Sequence, residues 1–349
     1  MAKRANKYTF IYPPTLPYDK LYQRPQQICR ALADLGHTVY FCDHPQTDEN
    51  GPVTVVKRDK LHIVKGGWLT LVNGGAGESL GPHIFLASWA KYNSNNYPKP
   101  HNRRATVYDC LDNFPEWDAM ERQMFADADI VLCSSTANME RAKKHSTAQC
   151  VMVYNAADPK QFSARAEPAA LSNLPKGIRA VFIGCVGRWV DLEVIRTSAA
   201  TRPDIQFIFV GEVWDPAARK FFQSTPPNVH LLGHVPHSDL SGILHNCDVG
   251  IVPFITNDQV TNAADPIKVW EYLAAELPVV STGLKEVEKF GHLVRVKDEP
   301  LYFSAAISQE FTNNSAEKRE ARKAFLDKNT WADRAKTIIS AIDNYMKAR

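Results

Sequence analysis

Between Tyr8 and Val296, short apolar runs rich in β-branched and aromatic residues alternate with stretches of helical period, and this alternation confines the chain to parallel sheets covered by helices. The first half reads as strand Tyr8 to Tyr12, a Pro-rich loop to Leu21, helix Arg24 to Leu35 and strand Thr38 to Asp43. Further strands are expected at Val53 to Val56, Leu61 to Val64, His83 to Ala87, Ala105 to Tyr108, Ile130 to Ser134 and Cys150 to Val153, with helices over Glu116 to Ala126 and Thr136 to Lys144. Asp158 to Lys176 is rich in Ala, Pro, Ser and charge and has no apolar period, so it reads as a linker. A second alternating unit follows. Its strands are expected at Ala180 to Val186, Ile205 to Val210, Val229 to Leu232, Val249 to Phe254, Val279 to Ser281 and Leu293 to Val296, and its helices at Asp191 to Arg202, Pro216 to Gln223, Ser238 to Asn246 and Pro266 to Ala275.

A chain of 349 residues exceeds one ordinary core, so two domains are expected, 1–160 and 177–330. Residues 331–349 keep a helical period through Trp331, Ala335, Ile338 and Ile342, and read as a covering helix that packs back on the first domain. A net charge of +3 with both signs interspersed provides no broad basic field and argues against nucleic acid. Seven scattered cysteines without a Cys-x-x-Cys pair read as buried free thiols in a reducing, cytoplasmic setting. No metal-ligand spacing is present, and His234 and His237 read as loop polarity. Pro13-Pro14 cuts the first apolar run too short for a signal segment or a membrane span.

The segment from Val249 to Thr282 reads as strand, loop, helix, strand. Asp265 is placed as the helix cap, Pro266 at the first helical position, and Lys268 and Glu271 one turn apart on one face. Beyond the carboxyl end of a strand such a spot suits a nucleotide: Lys268 adds charge to an anion site, and Glu271 is an acceptor for paired ribose hydroxyls. The alternative is a surface Lys–Glu pair. The loop from Gly184 to Asp191 follows the first strand of the second domain, where Gly187 allows close backbone approach and Arg188 can clamp a diphosphate. Gly-rich strand ends of this kind are also common without function. Gln23 and Arg24 sit where the first loop becomes a helix and contact either an acceptor or phosphate, or else serve as caps.

Gly211 closing Phe207-Ile208-Phe209-Val210, the run Asn228 to Pro236 with Leu240, the strand after Asp248 and the Lys268 helix occur in the order typical of GT-B glycosyltransferases, which the chain resembles over nearly its whole length. Gln23-Arg24-Pro25-Gln26-Gln27, Leu32 to Val39 and Tyr108-Asp109-Cys110-Leu111-Asp112 are similar to the bacterial cell-surface polysaccharide branch, of the teichuronic acid biosynthesis type. The resemblance implies two Rossmann-like, doubly wound domains facing a central cleft, the first holding a glycan or lipid-linked acceptor and the second a nucleotide diphosphate sugar, UDP-linked by preference. It implies Glu271 for the ribose, Lys268 for the diphosphate, and a metal-independent hexosyl transfer in surface polysaccharide assembly, without a permanent cofactor. Many retaining members carry two glutamates with seven residues between them, and the place of the first falls on Ala263 here, with Asp265 nearby. An inverting transfer needs a base, and Asp109 and Asp112, just past the strand ending at Tyr108, are the candidates; the alternative is a cap and a turn. Two other readings stay in view, a nucleotide-sugar epimerase of the same two-domain architecture and, from the missing glutamate, a catalytically silent nucleotide-sugar-binding scaffold. Lys3, Arg4, Lys7, Arg103, Arg104, Lys143 and Lys144 form a basic set suited to peripheral contact with an anionic membrane, the alternative and favoured reading at this overall charge being a solvated surface.

Overall fold

The computed structural model describes residues 6–74, 80–97, 99–100, 102–166 and 168–349. The chain divides into two compact units, Met1–Asn155 with Trp331–Arg349, and Ala156–Thr330.

In unit 1 the apolar runs become β1 (Thr9–Tyr12), β2 (Thr38–Cys42), β3 (Thr54–Arg58), β4 (Leu61–Gly66), β5 (His83–Ala87), β6 (Arg103–Cys110), β7 (Ile130–Cys133) and β8 (Gln149–Met152). They form one sheet in the order β3-β4-β2-β1-β5-β6-β7-β8. Helices α1 (Arg24–Asp34), α2 (Trp68–Asn73), α3 (Asp118–Asp127) and α4 (Thr136–His145) connect them. Pairing is parallel throughout except at β3, which runs antiparallel to β4 through a turn at Asp59 and Lys60, both at positive φ. The expected all-parallel arrangement fails there because a two-residue turn can only return the chain antiparallel. β6 extends to Cys110, pairing Asp109 with Leu132 and Cys110 with Cys133, so Asp109 lies inside the strand and not past it.

Unit 2 holds α5 (Ala169–Ser172), β9 (Ile178–Ile183), α6 (Leu192–Thr201), β10 (Ile205–Val210), α7 (Pro216–Phe222), β11 (Val229–Gly233), α8 (Leu240–His245) and β12 (Val249–Val252). It continues with α9 (Gln259–Asn262), α10 (Ile267–Ala274), β13 (Val279–Ser281), β14 (Val294–Val296), α11 (Pro300–Thr312) and α12 (Ala316–Leu326). The strand order β11-β10-β9-β12-β13-β14 is fully parallel. This is the doubly wound order in which the direction of winding reverses between the first and fourth strands, here β9 and β12. β10 and β12 are buried along their lengths and β9 from Ala180 onward, which is why they read as continuous apolar runs.

The closing helix α13 (Trp331–Lys347) returns to unit 1, burying Trp331, Ala335, Ile338, Ala341 and Ile342. Arg334 donates to the carbonyls of Tyr154 and Asn155, and Asp343 accepts from Asn6 and Tyr8. Among the described residues no helix is long and apolar enough to cross a membrane.

Candidate active site

In unit 2 the reversal point lies between the ends of β9 and β12, and the loops leaving those strands are tied together there. The Asp191 N–H donates to Pro253 O at 2.8 Å and the Ile255 N–H to Trp189 O at 2.8 Å. Gly184 ends β9 at φ +105°, and a side chain built on it would meet the end of Lys268, with Cε 3.5 Å and Nζ 3.7 Å away. Gly187 is closed differently, since a Cβ would run into the Trp189 ring at 2.5 Å. Gly187 is therefore required for packing the loop on its own tryptophan. Arg188 stands on the exposed side of that loop.

Lys268 comes from the first turn of α10 and is 8% exposed. Its ammonium lies 4.2 Å from the centroid of Phe182 and 4.5 Å from that of Phe254, and has no hydrogen-bond acceptor or ion-pair partner among the described residues. Burial lowers its pKa from 10.5 to about 7, against the pull of Cys185 and Glu271. Burial raises the Cys185 thiol to about 11, with Lys268 opposing. A desolvated cation held over two rings beside an exposed glycine is placed to receive an anion.

Glu271, one turn along, is 6% exposed, and its Oε1 lies 2.9 Å from His237 Nε2. His237 follows β11 and packs edge-on against Phe162 at 5.8 Å. The reading of His237 as loop polarity is corrected by this contact. The two residues are 34 positions apart, so nothing local in the sequence marks the pair. The helix carrying Lys268 and Glu271 is fixed by Tyr272, whose hydroxyl accepts from the Ile183 N–H at 2.9 Å and donates to Ile251 O at 3.3 Å.

The expected cap at Asp265 does not form. Pro266 occupies the cap position, while the Asp265 carboxylate accepts from Trp270 Nε1 at 3.1 Å and pairs with Lys289 at 2.8 Å. A buried carboxylate is more favourably satisfied by a cation and an indole N–H than by a helix end.

In unit 1, Arg24 and Asp109 meet each other. Arg24 Nε and Nη2 donate to the Asp109 carboxylate at 2.7 to 3.2 Å, and Nη1 donates to Asn155 Oδ1 at 3.2 Å, with Asp109 only 1% exposed. Each nitrogen of Arg24 is thus engaged, and the pair joins the start of α1 to β6. Arg24, expected at an acceptor or phosphate, and Asp109, expected as a base, are thus paired with each other inside unit 1, as a buried charge requires a partner. Gln23 precedes the helix, where its N–H donates to Gln26 Oε1 at 3.0 Å. Asp112 is half-buried, and its carboxylate has no hydrogen bond or ion pair among the described residues. Burial raises its pKa from 3.8 to about 6, with Arg24 and Arg141 opposing and Asp109 adding to the rise. Arg141, which pairs with Glu121, donates to the Asp112 carbonyl at 3.4 Å.

Of the basic set, Lys3 and Arg4 lie outside the described residues. Arg103 is drawn over the Phe85 ring at 4.1 Å, whereas Lys7, Arg104, Lys143 and Lys144 are exposed.

Residues 182–313 match the family model described as Glycosyl transferases group 1. A putative teichuronic acid biosynthesis glycosyltransferase, TuaH of Bacillus subtilis (strain 168), is 28% identical over 222 residues, which cover 60% of this chain and 56% of that protein. The chain thus spans little more than half the length of that curated relative. Among solved structures, sucrose-phosphate synthase from Thermosynechococcus elongatus superposes with a TM-score of 0.69 at 14% identity, covering 99% of this chain and 100% of that one. The trehalose-6-phosphate synthase OtsA gives 0.70 at 12% identity, covering 97% and 99%. An E. coli trehalose-6-phosphate structure bound with UDP-2-fluoro glucose gives 0.67 at 13%, covering 96% and 98%. The shared architecture is the GT-B fold of two Rossmann-like domains.

Proposed function

We propose that this chain, which has the GT-B fold and resembles the group 1 glycosyl transferases over residues 182–313, moves a sugar from a nucleotide diphosphate donor to a glycan or lipid-linked acceptor in surface polysaccharide assembly. The observation that carries the reading is the buried Lys268 ammonium, unpaired among the described residues, beside exposed Gly184 at the reversal point of the unit 2 sheet, with Glu271 one turn away. Lys268 and Arg188 take the diphosphate, and Glu271 accepts from the ribose hydroxyls. As the bond from the anomeric carbon to the diphosphate oxygen breaks, these cations stabilise the charge left on the leaving group. Supplied by protein side chains, that charge makes the transfer independent of metal. On unit 1, Asp112 removes the proton from the acceptor hydroxyl whose oxygen bonds to the anomeric carbon, and later returns it to water. Gln23 is assigned to the acceptor. The UDP-linked sugar is preferred as donor because the E. coli neighbour binds UDP-2-fluoro glucose at a fold of the same plan.

Calorimetric titration of wild type and Glu271→Ala with UDP, GDP, ADP and dTDP, with divalent metal and with chelator, tests the donor site. Saturable binding of one nucleotide in chelator, weakened about tenfold by Glu271→Ala, is expected from the loss of hydrogen bonds to a charged acceptor. Absence of binding by folded protein to all four overturns the reading. Peripheral membrane contact through Lys7, Arg104, Lys143 and Lys144 is checked by co-sedimentation with anionic vesicles at low and raised salt.

A further inference from the structure

His237 has no part in the roles assigned above, yet among the described residues it is hydrogen-bonded to the Glu271 side chain, from the segment after β11 to the middle of α10. A carboxylate only accepts, so the proton of the 2.9 Å contact sits on His237 Nε2 and the imidazole is the donor. Both side chains are largely withdrawn from water, at 15% and 7% exposure, and Phe162 braces the imidazole edge-on. Glu271 is further set by its helix, since α10 is pinned to β9 and β12 through Tyr272 on the adjacent position. The carboxylate is therefore held from two directions, with Oε1 engaged and Oε2 left to accept among the described residues.

We infer that His237 is a positioning residue for ribose recognition: its Nε2–H fixes the Glu271 carboxylate so that the free oxygen is aimed at the paired hydroxyls of a ribonucleoside diphosphate. The inference rests on the donor-site reading given above. It follows from the geometry of acceptor groups. A glutamate side chain has three rotatable bonds, and freezing it at the moment of binding weakens the contact it makes. A histidine that freezes it beforehand moves that cost from binding to folding. The device discriminates by the sugar hydroxyls alone, since His237 acts only through Glu271. Its loss should consequently be felt by a ribonucleotide and not by its dideoxy analogue.

The test is calorimetric titration of the full chain with UDP and 2′,3′-dideoxy-UDP, using wild type, His237→Ala, His237→Gln and Glu271→Ala, each checked for folding by circular dichroism. Wild type is expected to prefer UDP, and His237→Ala to lose about tenfold in UDP affinity, the size of a hydrogen bond to a charged group. Dideoxy-UDP affinity should be unmoved, and His237→Gln, which keeps an N–H near the Nε2 position, should restore most of the loss. If Glu271→Ala removes the preference for UDP while His237→Ala leaves it intact, the donor reading survives and the positioning role is overturned. Equal weakening of UDP and dideoxy-UDP by His237→Ala, without rescue by glutamine, also overturns it, leaving a structural histidine. If wild type binds neither ligand, or binds both alike, the ribose assignment of Glu271 falls and the inference falls with it.

Discussion

Two carboxylates three positions apart, one buried and one half-buried, show how environment divides residue types into tasks. Asp109 is matched by the planar guanidinium of Arg24, and removing either charge leaves the other buried alone. Asp109→Asn should lower unfolding stability by about 3–5 kcal/mol, read by denaturant titration, while turnover per folded molecule changes little. Asp112 has no such partner, and its folded pKa is raised from 3.8 to about 6. As the base is the ionised form, the rate should fall tenfold per pH unit below about 6, and Asp112→Asn should lose roughly 10²- to 10⁴-fold in turnover and flatten that limb. The opposite sign applies to Lys268. Its folded pKa of about 7 lies below the ordinary 10.5, so the unfolded chain binds more protons between those values. Wild-type stability should rise with pH across that window, by at most ~1.4 kcal/mol per pH unit, relative to Lys268→Met. Parallel stability curves for the two proteins from pH 7 to pH 9 would show that the ammonium is not desolvated. None of these divisions can be read locally: Arg24 and Asp109 are 85 residues apart, and the position of Asp109 and Asp112 after an apolar run carries no information about which one finds a cation.

At the scale of elements, α10 is positioned by one side chain more than by its termini. Tyr272 satisfies the Ile183 N–H and reaches Ile251 O, and its ring lies against Gly250, where a Cβ would come within 2.4 Å. Tyr272→Phe leaves a buried N–H unpaired and should destabilise the protein by about 1–3 kcal/mol while weakening nucleotide binding. Retained affinity in a destabilised variant would show that α10 finds its place without this link. The central strands of both sheets were legible because burial on both faces writes continuous apolar text, and β13 begins and ends where that text does. The helix α10 is equally plain, but its cap is not, since the claim of Trp270 and Lys289 on the Asp265 carboxylate is set by packing and not by the local sequence. Helices α11 and α12 and the antiparallel turn of β3 and β4 are not legible in the sequence. Leu301, Tyr302 and Phe311 are exposed on α11, which blurs the apolar stripe that would have announced it, and Asp59-Lys60 lacks the glycine that usually marks so tight a return.

For the molecule as a whole, the division into units does not follow chain order. Unit 1 is discontinuous, and α13 supplies it with Trp331, Ile338 and Ile342, each worth roughly 1.5–3 kcal/mol of burial. A chain ended at Thr330 should therefore leave unit 1 open to proteolysis while unit 2 survives as a resistant fragment that still binds nucleotide. Survival of both units in limited digestion would show that α13 is dispensable.

Because α13 is the last part of the described chain to be made, unit 1 has its sheet first and its closing helix last. During synthesis a domain at the front of a chain ordinarily folds before the one behind it. Here the order is inverted. Asn155 emerges long before Arg334 exists to bind its carbonyl, so the front unit must wait, incomplete, until all of unit 2 has been translated. Unit 2 can mature first, and ribosome pausing within residues 156–330 would prolong the exposure of the apolar face that α13 covers.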